Sequence, residues 1–266
     1  MSLRSALFVP CANARAVARA REFTPDALIF DLEDAVGAGE RDSAVALVAV
    51  VLREGGFRAP KVMVRVHPGS LNAIHYALHA LPLDGIVVPK VDGPEDLRAV
   101  HAVWPNAPLW AMVETARGVT QLGDIAAMPV AGLIAGPNDL RRDLKTRPLP
   151  DRADIAFALS QVVLHGRAND RVVLDGVYNQ FKDTEGFAAD CAHGRGLGFD
   201  GKTLIHPAQI EACNRAFSPS DEETAWAQAV VAAFDGSEAG VLPVNGEMVE
   251  RLHLEQAREI LGARNS

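Results

Sequence analysis

The chain has 266 residues, with 26 Lys and Arg against 34 Asp and Glu, a net charge of -8, and 48% hydrophobic residues. That balance excludes wholesale disorder and argues against a general binder of nucleic acid or anionic membrane. The longest apolar run, Ala44 to Leu52, falls far short of a membrane span of ~20 residues, and the N-terminal apolar stretch is too short for a signal peptide. Three cysteines without a C-x-x-C pair (Cys11, Cys191, Cys213) suit a reducing compartment, so the sequence predicts a soluble cytoplasmic protein.

Eight short apolar runs predict strands. They begin near Ser5 (SALFV), Ala27 (ALIFDL), Lys61 (KVMVRV), Gly85 (GIVVP), Pro108 (PLWAMV), Val130 (VAGLIA), Arg171 (RVVL) and Phe199 (FDGKTLI). The runs are continuous rather than alternating, as strands buried on both faces require. Helical spacing fills the intervals at 13–22, 43–53, 70–80, 94–104 and 187–195, and Pro and Gly punctuate the joins. This alternation belongs to the α/β class. Eight units with a helical tail over 221–261 predict a (β/α)8 TIM barrel with a C-terminal helical segment, read as one domain over 1–266. A doubly wound open sheet is the alternative.

In such a barrel the chemistry lies where strands end. The polar groups there are Asp31, Glu33 and Asp34, then Arg65 and His67, Lys90, Glu114, Asp139 and Asp175. Gathered carboxylates cost several kcal/mol unless compensated. A divalent cation is one compensation, and oxygen ligands without a Cys/His cluster favour Mg2+ over zinc. A salt-bridge cluster of Glu114, Asp139 and Arg65 is the other reading, and spacing alone does not separate them.

Several motifs point elsewhere. Gly196–Thr203 matches both G-x-x-x-x-G-K-[ST] and, through Gly201, G-x-G-x-x-G, yet a helix precedes it and a strand follows. A phosphate loop needs the reverse order, so a helix-to-strand turn with glycines at positive φ is expected instead. His75 and His79 share a helical face without a third ligand, and Cys191, His193 and Cys213 lack zinc spacing. Lys90 could form an imine, but neighbouring carboxylates would keep it protonated and favour an ion pair.

The segments Arg4–Pro10, Asp31-Leu-Glu-Asp-Ala-Val36, Val88-Pro-Lys-Val91, Glu114-Thr-Ala-Arg-Gly-Val119, Gly136-Pro-Asn-Asp-Leu140, Gly198–Gln209 and Phe217–Ser220 follow one another in a familiar order. Together they resemble the citrate lyase beta-subunit/malyl-CoA lyase family, in its short stand-alone branch. The resemblance implies a Mg2+-dependent carbon–carbon lyase acting on a 3-hydroxyacyl-CoA thioester such as citryl-CoA or malyl-CoA. Its products would be acetyl-CoA and an α-oxo acid, oxaloacetate or glyoxylate. It casts Glu114 and Asp139 as metal ligands and Arg65 as the clamp on the acid's carboxylate. The stretch Gly136, Asn138 and Asp139 would hold the other end of the acid. Glu33, Asp34 and Lys90 would orient water and balance charge around the reaction. The proton donor would come from Gly246-Glu-Met-Val-Glu250 of a neighbouring subunit in a homotrimer. Here Glu250 replaces an aspartate, Leu252 a proline, Cys11 a glycine, and His67 a residue that is more often asparagine. Two alternatives stay open: an aldolase of free hydroxy-oxo acids, and a non-catalytic subunit that binds an oxo acid.

Overall fold

The computed structural model describes residues 3–34, 36, 37 and 39–264. These form two compact units, Leu3–Asn214 and a C-terminal unit that begins at Arg215, where the sequence suggested one domain over 1–266 with a tail from 221. The terminal residues of that span lie outside the described ones.

The first unit is a closed barrel of eight parallel strands in chain order. The strands are β1 (Ser5–Pro10), β2 (Ala27–Asp31), β3 (Lys61–Arg65), β4 (Gly85–Val88), β5 (Leu109–Val113), β6 (Val130–Ala135), β7 (Val172–Asp175) and β8 (Gly201–Leu204). All eight coincide with the apolar runs, because each lies between the barrel interior and a surrounding helix and has both faces buried. The sheet closes by pairing of β1 with β8, Leu7 opposite Leu204. Two registers bring charged residues face to face. Asp31 lies opposite Arg65 at the ends of β2 and β3, and Asp175 lies opposite Lys202 across β7 and β8.

The interior is filled by Ala6, Ile29, Met63, Val87, Met112, Ile134 and Leu174 around Trp110. The indole occupies space that neighbouring strands vacate. A Cβ at Gly85 would lie 2.9 Å from the ring and one at Gly132 only 2.3 Å away. Neither glycine has positive φ, so close approach rather than backbone freedom explains them.

The helices begin where capping groups stand. Asn13 accepts from Ala16 N–H at 3.1 Å before the helix Ala14–Arg19, and Asp183 accepts from Gly186 N–H at 2.9 Å before Thr184–Leu197. The latter helix ends at Gly198 with φ 97°, and β8 comes directly after. The Gly196–Thr203 motif is therefore the helix-to-strand turn. Only Gly198 among its glycines needs positive φ; Gly201 allows Leu3 O to come within 2.0 Å of where a Cβ would stand. No helix among the described residues is long and apolar enough to cross a membrane.

The C-terminal unit is not helical throughout. Helices Asp221–Phe234 and Arg251–Arg264 flank an antiparallel hairpin of β9 (Val241–Val244) and β10 (Glu247–Glu250). Its turn is Asn245-Gly246, both at positive φ (53° and 88°), the dipeptide that two-residue hairpins favour. The hairpin's inward residues Val244 and Val249 join Ala227, Val230, Phe234, Leu254 and Ala257 in a small core.

Candidate active site

The register of β2 and β3 sets one wall of the site. Asp31 and Arg65 are both buried, and the carboxylate takes two N–H bonds from the guanidinium, Nε at 2.8 Å and Nη2 at 2.7 Å. Although burial works against its charge, the bonds from Asp31 and the nearby Glu33 and Glu114 hold the Arg65 pKa above its ordinary value. The guanidinium lies 4.8 Å over the Phe8 ring, and Nη1 reaches Met112 Sδ at 3.6 Å and Glu33 Oε2 at 3.4 Å. Asp31 thus occupies one edge of the planar fork. The Nη1/Nη2 edge is held only by longer contacts, Glu33 Oε2 at 3.4 Å and Asp34 Oδ2 at 3.7 Å, which a second carboxylate can replace.

Lys90, just after β4, adopts the left-handed region at φ 49°, a conformation that costs a non-glycine residue about 1–2 kcal/mol. That turn directs its backbone N–H onto Glu114 Oε1 at 2.8 Å. Its Nζ pairs with Glu33 Oε1 and, at 3.1 Å, with Asp34 Oδ1. Burial lowers the Lys90 pKa, but these two carboxylates outweigh it and the net shift is upward. The amine is an ammonium ion, as the ion-pair reading expected, and a poor nucleophile. Burial lifts Glu33, whereas Asp34 falls because bonds from Glu33 and Lys90 outweigh its own desolvation.

Glu114 follows β5 and is 2% exposed. Burial pushes its pKa up to about 7, and the charge of Asp139 adds to the rise against the Lys90 N–H bond. Asp139 is the third residue of the helix Pro137–Leu144, half-buried and paired with the exposed Arg142 at 2.5 Å. Between the two acids stands Gly136. Any Cβ there would lie 2.4 Å from both Glu114 Cβ and Glu114 Oε2. The missing side chain is the cradle in which the carboxylate rests.

Asp31, Asp34, Arg65, Glu114, Gly136, Asn138 and Asp139 all line one cavity of about 300 Å3. Glu33 and Lys90 stand behind them and are joined to them by the bonds above. Glu250 is not among the lining residues: it closes β10 in the C-terminal unit, exposed, its N–H donating to His253 Nδ1 at 2.8 Å. The described residues contain no group of three or more His, Cys, Asp or Glu side chains that could hold a metal ion. Two carboxylates on one cavity, Glu114 held up by burial and by the charge of Asp139, nevertheless fit a hard cation that takes its other ligands from substrate and water.

Asp175 requires a correction. Its position at the end of β7 suggested a mouth carboxylate, but its side chain is fully buried behind the strands. Arg152 Nη1 reaches it at 2.7 and 2.8 Å and Lys202 Nζ at 2.8 Å, and Lys202 also pairs with Asp190. His193 Nδ1 accepts from Arg152 Nη2 at 2.7 Å. The lysine of the apparent phosphate loop is a buried structural cation. Arg152 and Lys202 escaped the sequence reading, although Asp175 and Lys202 could have been matched as a cross-strand pair. His75 packs against both His79 and Trp104, with 5.1 Å between centroids in each pair.

The family model for HpcH/HpaI aldolase/citrate lyase matches residues 4–207. The chain belongs to this family. It is 43% identical over 265 residues to the (3S)-malyl-CoA thioesterase of Cereibacter sphaeroides strain ATCC 17029, covering 97% of this chain and 93% of that one. Citrate lyase subunit beta of Haemophilus influenzae is 32% identical over 277 residues, covering 97% and 95%. Among solved structures, protein CitE from Mycobacterium tuberculosis in complex with magnesium, acetoacetate and coenzyme A superposes with a TM-score of 0.84 at 28% identity, covering 100% of this chain and 99% of that one. The (β/α)8 barrel predicted for this aldolase/citrate lyase family member is the fold it adopts.

Proposed function

We propose that the chain is a Mg2+-dependent carbon–carbon lyase that cleaves a 3-hydroxyacyl-CoA thioester of the malyl-CoA or citryl-CoA kind to acetyl-CoA and an α-oxo acid. The observation that carries this reading is the convergence of Glu114, Asp139 and the outer edge of Arg65 on one strand-end cavity. Held by Glu114 and Asp139, Mg2+ would supply Lewis acidity toward the acid's hydroxyl, later oxo, oxygen. Arg65 binds the carboxylate of that acid through its Nη1/Nη2 edge, which exchanges its longer contacts with Glu33, Asp34 and Met112 for it, and Asp31 fixes the plane in which it does so. The Lys90 N–H orients Glu114, while its ammonium balances Glu33 and Asp34. Phe8 and Met112 give the cavity an apolar side.

Cleavage removes the hydroxyl proton as that oxygen becomes the oxo group and moves the carbon–carbon bonding pair to the thioester's α-carbon, which takes up a proton in turn, so none is gained or lost overall. We assign that proton to Glu250 of a neighbouring subunit in a homotrimer, on the likeness of Gly246–Glu250 to the family segment. Cys11, in place of glycine, is buried with Sγ bonded to Val9 O at 3.4 Å, so its side chain turns away from the first loop's outer surface.

A second reading, hydrolysis of the same thioester, is favoured by the relatives named (3S)-malyl-CoA thioesterase at 43% identity. One assay separates the two. Malyl-CoA and Mg2+ are incubated with the protein, and oxo acid (as phenylhydrazone) and free thiol are followed together. Cleavage releases glyoxylate without thiol, and hydrolysis releases thiol and malate without glyoxylate. Neither product from malyl-CoA, citryl-CoA or citramalyl-CoA sinks both.

A further inference from the structure

A second cavity, about 340 Å3, adjoins the acid cavity and shares Pro137, Val177 and Asn179 with it. Part of the shared wall is fixed by the backbone. Pro137 is buried against Gly176, where a Cβ would stand 2.0 Å from Pro137 Cδ and 2.6 Å from Ala135 O. Beside it stand two carboxamides, Asn179 lining both cavities and Asn138 the acid cavity alone. Asn138 Nδ2 donates to Asn179 Oδ1 at 3.2 Å, and Asn179 Nδ2 donates back to Asn138 Oδ1 at 2.7 Å. The pair joins the first turn of the helix Pro137–Leu144 to the loop after β7.

We propose that the Asn138–Asn179 pair sets the longest α-oxo acid the site accepts, by walling the acid cavity off from this second space. The inference rests on the oxo-acid reading above and adds its size limit. The chemistry of the second cavity identifies what would enter. Its walls are polar, with Tyr178, Gln180 and His193, but its cations are engaged: Arg152 by Asp175 and His193, and Arg141 by Asp154 at 2.7 Å. It gives room to a hydrated polar chain rather than gripping one. The class kept out by the wall is therefore the longer oxo dicarboxylic acids, beginning with the homologue one methylene longer than oxaloacetate. Exclusion of a single methylene discriminates by about 10–200-fold in known sites. Both asparagines are exposed, so truncating either leaves no buried unpaired group and no internal void.

The test is titration calorimetry with Mg2+ and three probes, glyoxylate, oxaloacetate and 2-oxoglutarate, on wild type, Asn179→Ala, Asn179→Gln and Asn138→Ala. Wild type is expected to bind 2-oxoglutarate about tenfold or more weakly than oxaloacetate. Asn179→Ala should close most of that gap while oxaloacetate binding changes by less than about threefold. Asn138→Ala, which opens the same wall but also alters the stretch that would hold the acid, should narrow the ratio of the two affinities while weakening both. Asn179→Gln, which keeps an amide on the wall, should retain the wild-type ranking. Parallel weakening of all three acids in Asn179→Ala, an unchanged ranking, or a wild type indifferent to the added methylene overturns the inference and leaves the lyase reading standing. A wild type that binds none of the acids removes both.

Discussion

Replacing Gly136 by alanine adds one methyl group at the point where the two acids of the cavity meet. The backbone there has a negative φ (−112°, with ψ 81°), so no left-handed strain is added and the close contact dominates the effect. The new Cβ would lie 2.4 Å from both Glu114 Cβ and Oε2, well inside van der Waals contact, and Glu114 has little freedom to retreat because Lys90 N–H holds its other oxygen at 2.8 Å. Overpacking of this kind costs about 1–3 kcal/mol. For a chain of this size that lowers Tm by about 2–4 °C per kcal/mol. A displacement of about 1 Å at Glu114 should reduce kcat/KM about 100-fold, with Mg2+ affinity falling alongside. The control is Gly196→Ala, since nothing stands within 4 Å of a Cβ at that position. It lies inside the helix Thr184–Leu197, so alanine should stabilise by about 0.5–1 kcal/mol and leave activity untouched. Calorimetric melts, Mg2+ titration and the product assay read both variants. Wild-type metal affinity in Gly136→Ala refutes the cradle, and lost activity in Gly196→Ala revives the phosphate loop.

Three further outcomes are expected. Asp31→Asn removes the charge that orients a buried guanidinium; urea melts should show a loss of about 3 kcal/mol or more, and oxo-acid binding should weaken. Lys202 and Arg152 hold Asp175 below its usual carboxylate range despite the burial that opposes ionisation. Its contribution is therefore present above the unfolded carboxylate pKa of about 4 and lost as pH falls through the lower folded value, so Tm should drop steeply below about pH 4. Asp175→Asn should lower Tm at neutral pH and flatten that acid limb, as melts from pH 3 to 8 would record. Mixing inactive Glu114→Gln and Glu250→Gln proteins should restore turnover if one subunit lends Glu250 to the next cavity, whereas sites built within one subunit stay silent; light scattering of the same samples gives the subunit number.

Burial on both faces explains why all eight strands could be read from continuous apolar runs, with boundaries off by a residue or two. The candidate cavity was legible in the same way, since Asp34, Arg65, Glu114 and Asp139, which line it, and Glu33 and Lys90, bonded to them, follow or close those runs. Which strand end faces inward was not legible. Arg65 and Asp175 both occupy the last position of a strand, yet one lines the cavity and the other is buried behind it. The direction follows from barrel stagger and from helix packing, where the missing side chain of Gly194 leaves room for Asp175 Oδ2. Cross-strand partners such as Asp31 and Arg65 depend on register, which no local pattern encodes. The hairpin of the C-terminal unit was hidden by the shortness and exposure of its strands and by Pro243 within β9, although Asn245-Gly246 announced it.

Trp110 and its two glycine neighbours carry a consequence for sequence change. One indole takes the volume that three strands would otherwise share, so positions 85, 110 and 132 behave as a single inheritable unit. A side chain can appear at either glycine only if the ring shrinks in the same step, and a lineage that loses the ring must refill two strands at once. Selection at these sites acts on the trio and not on its members.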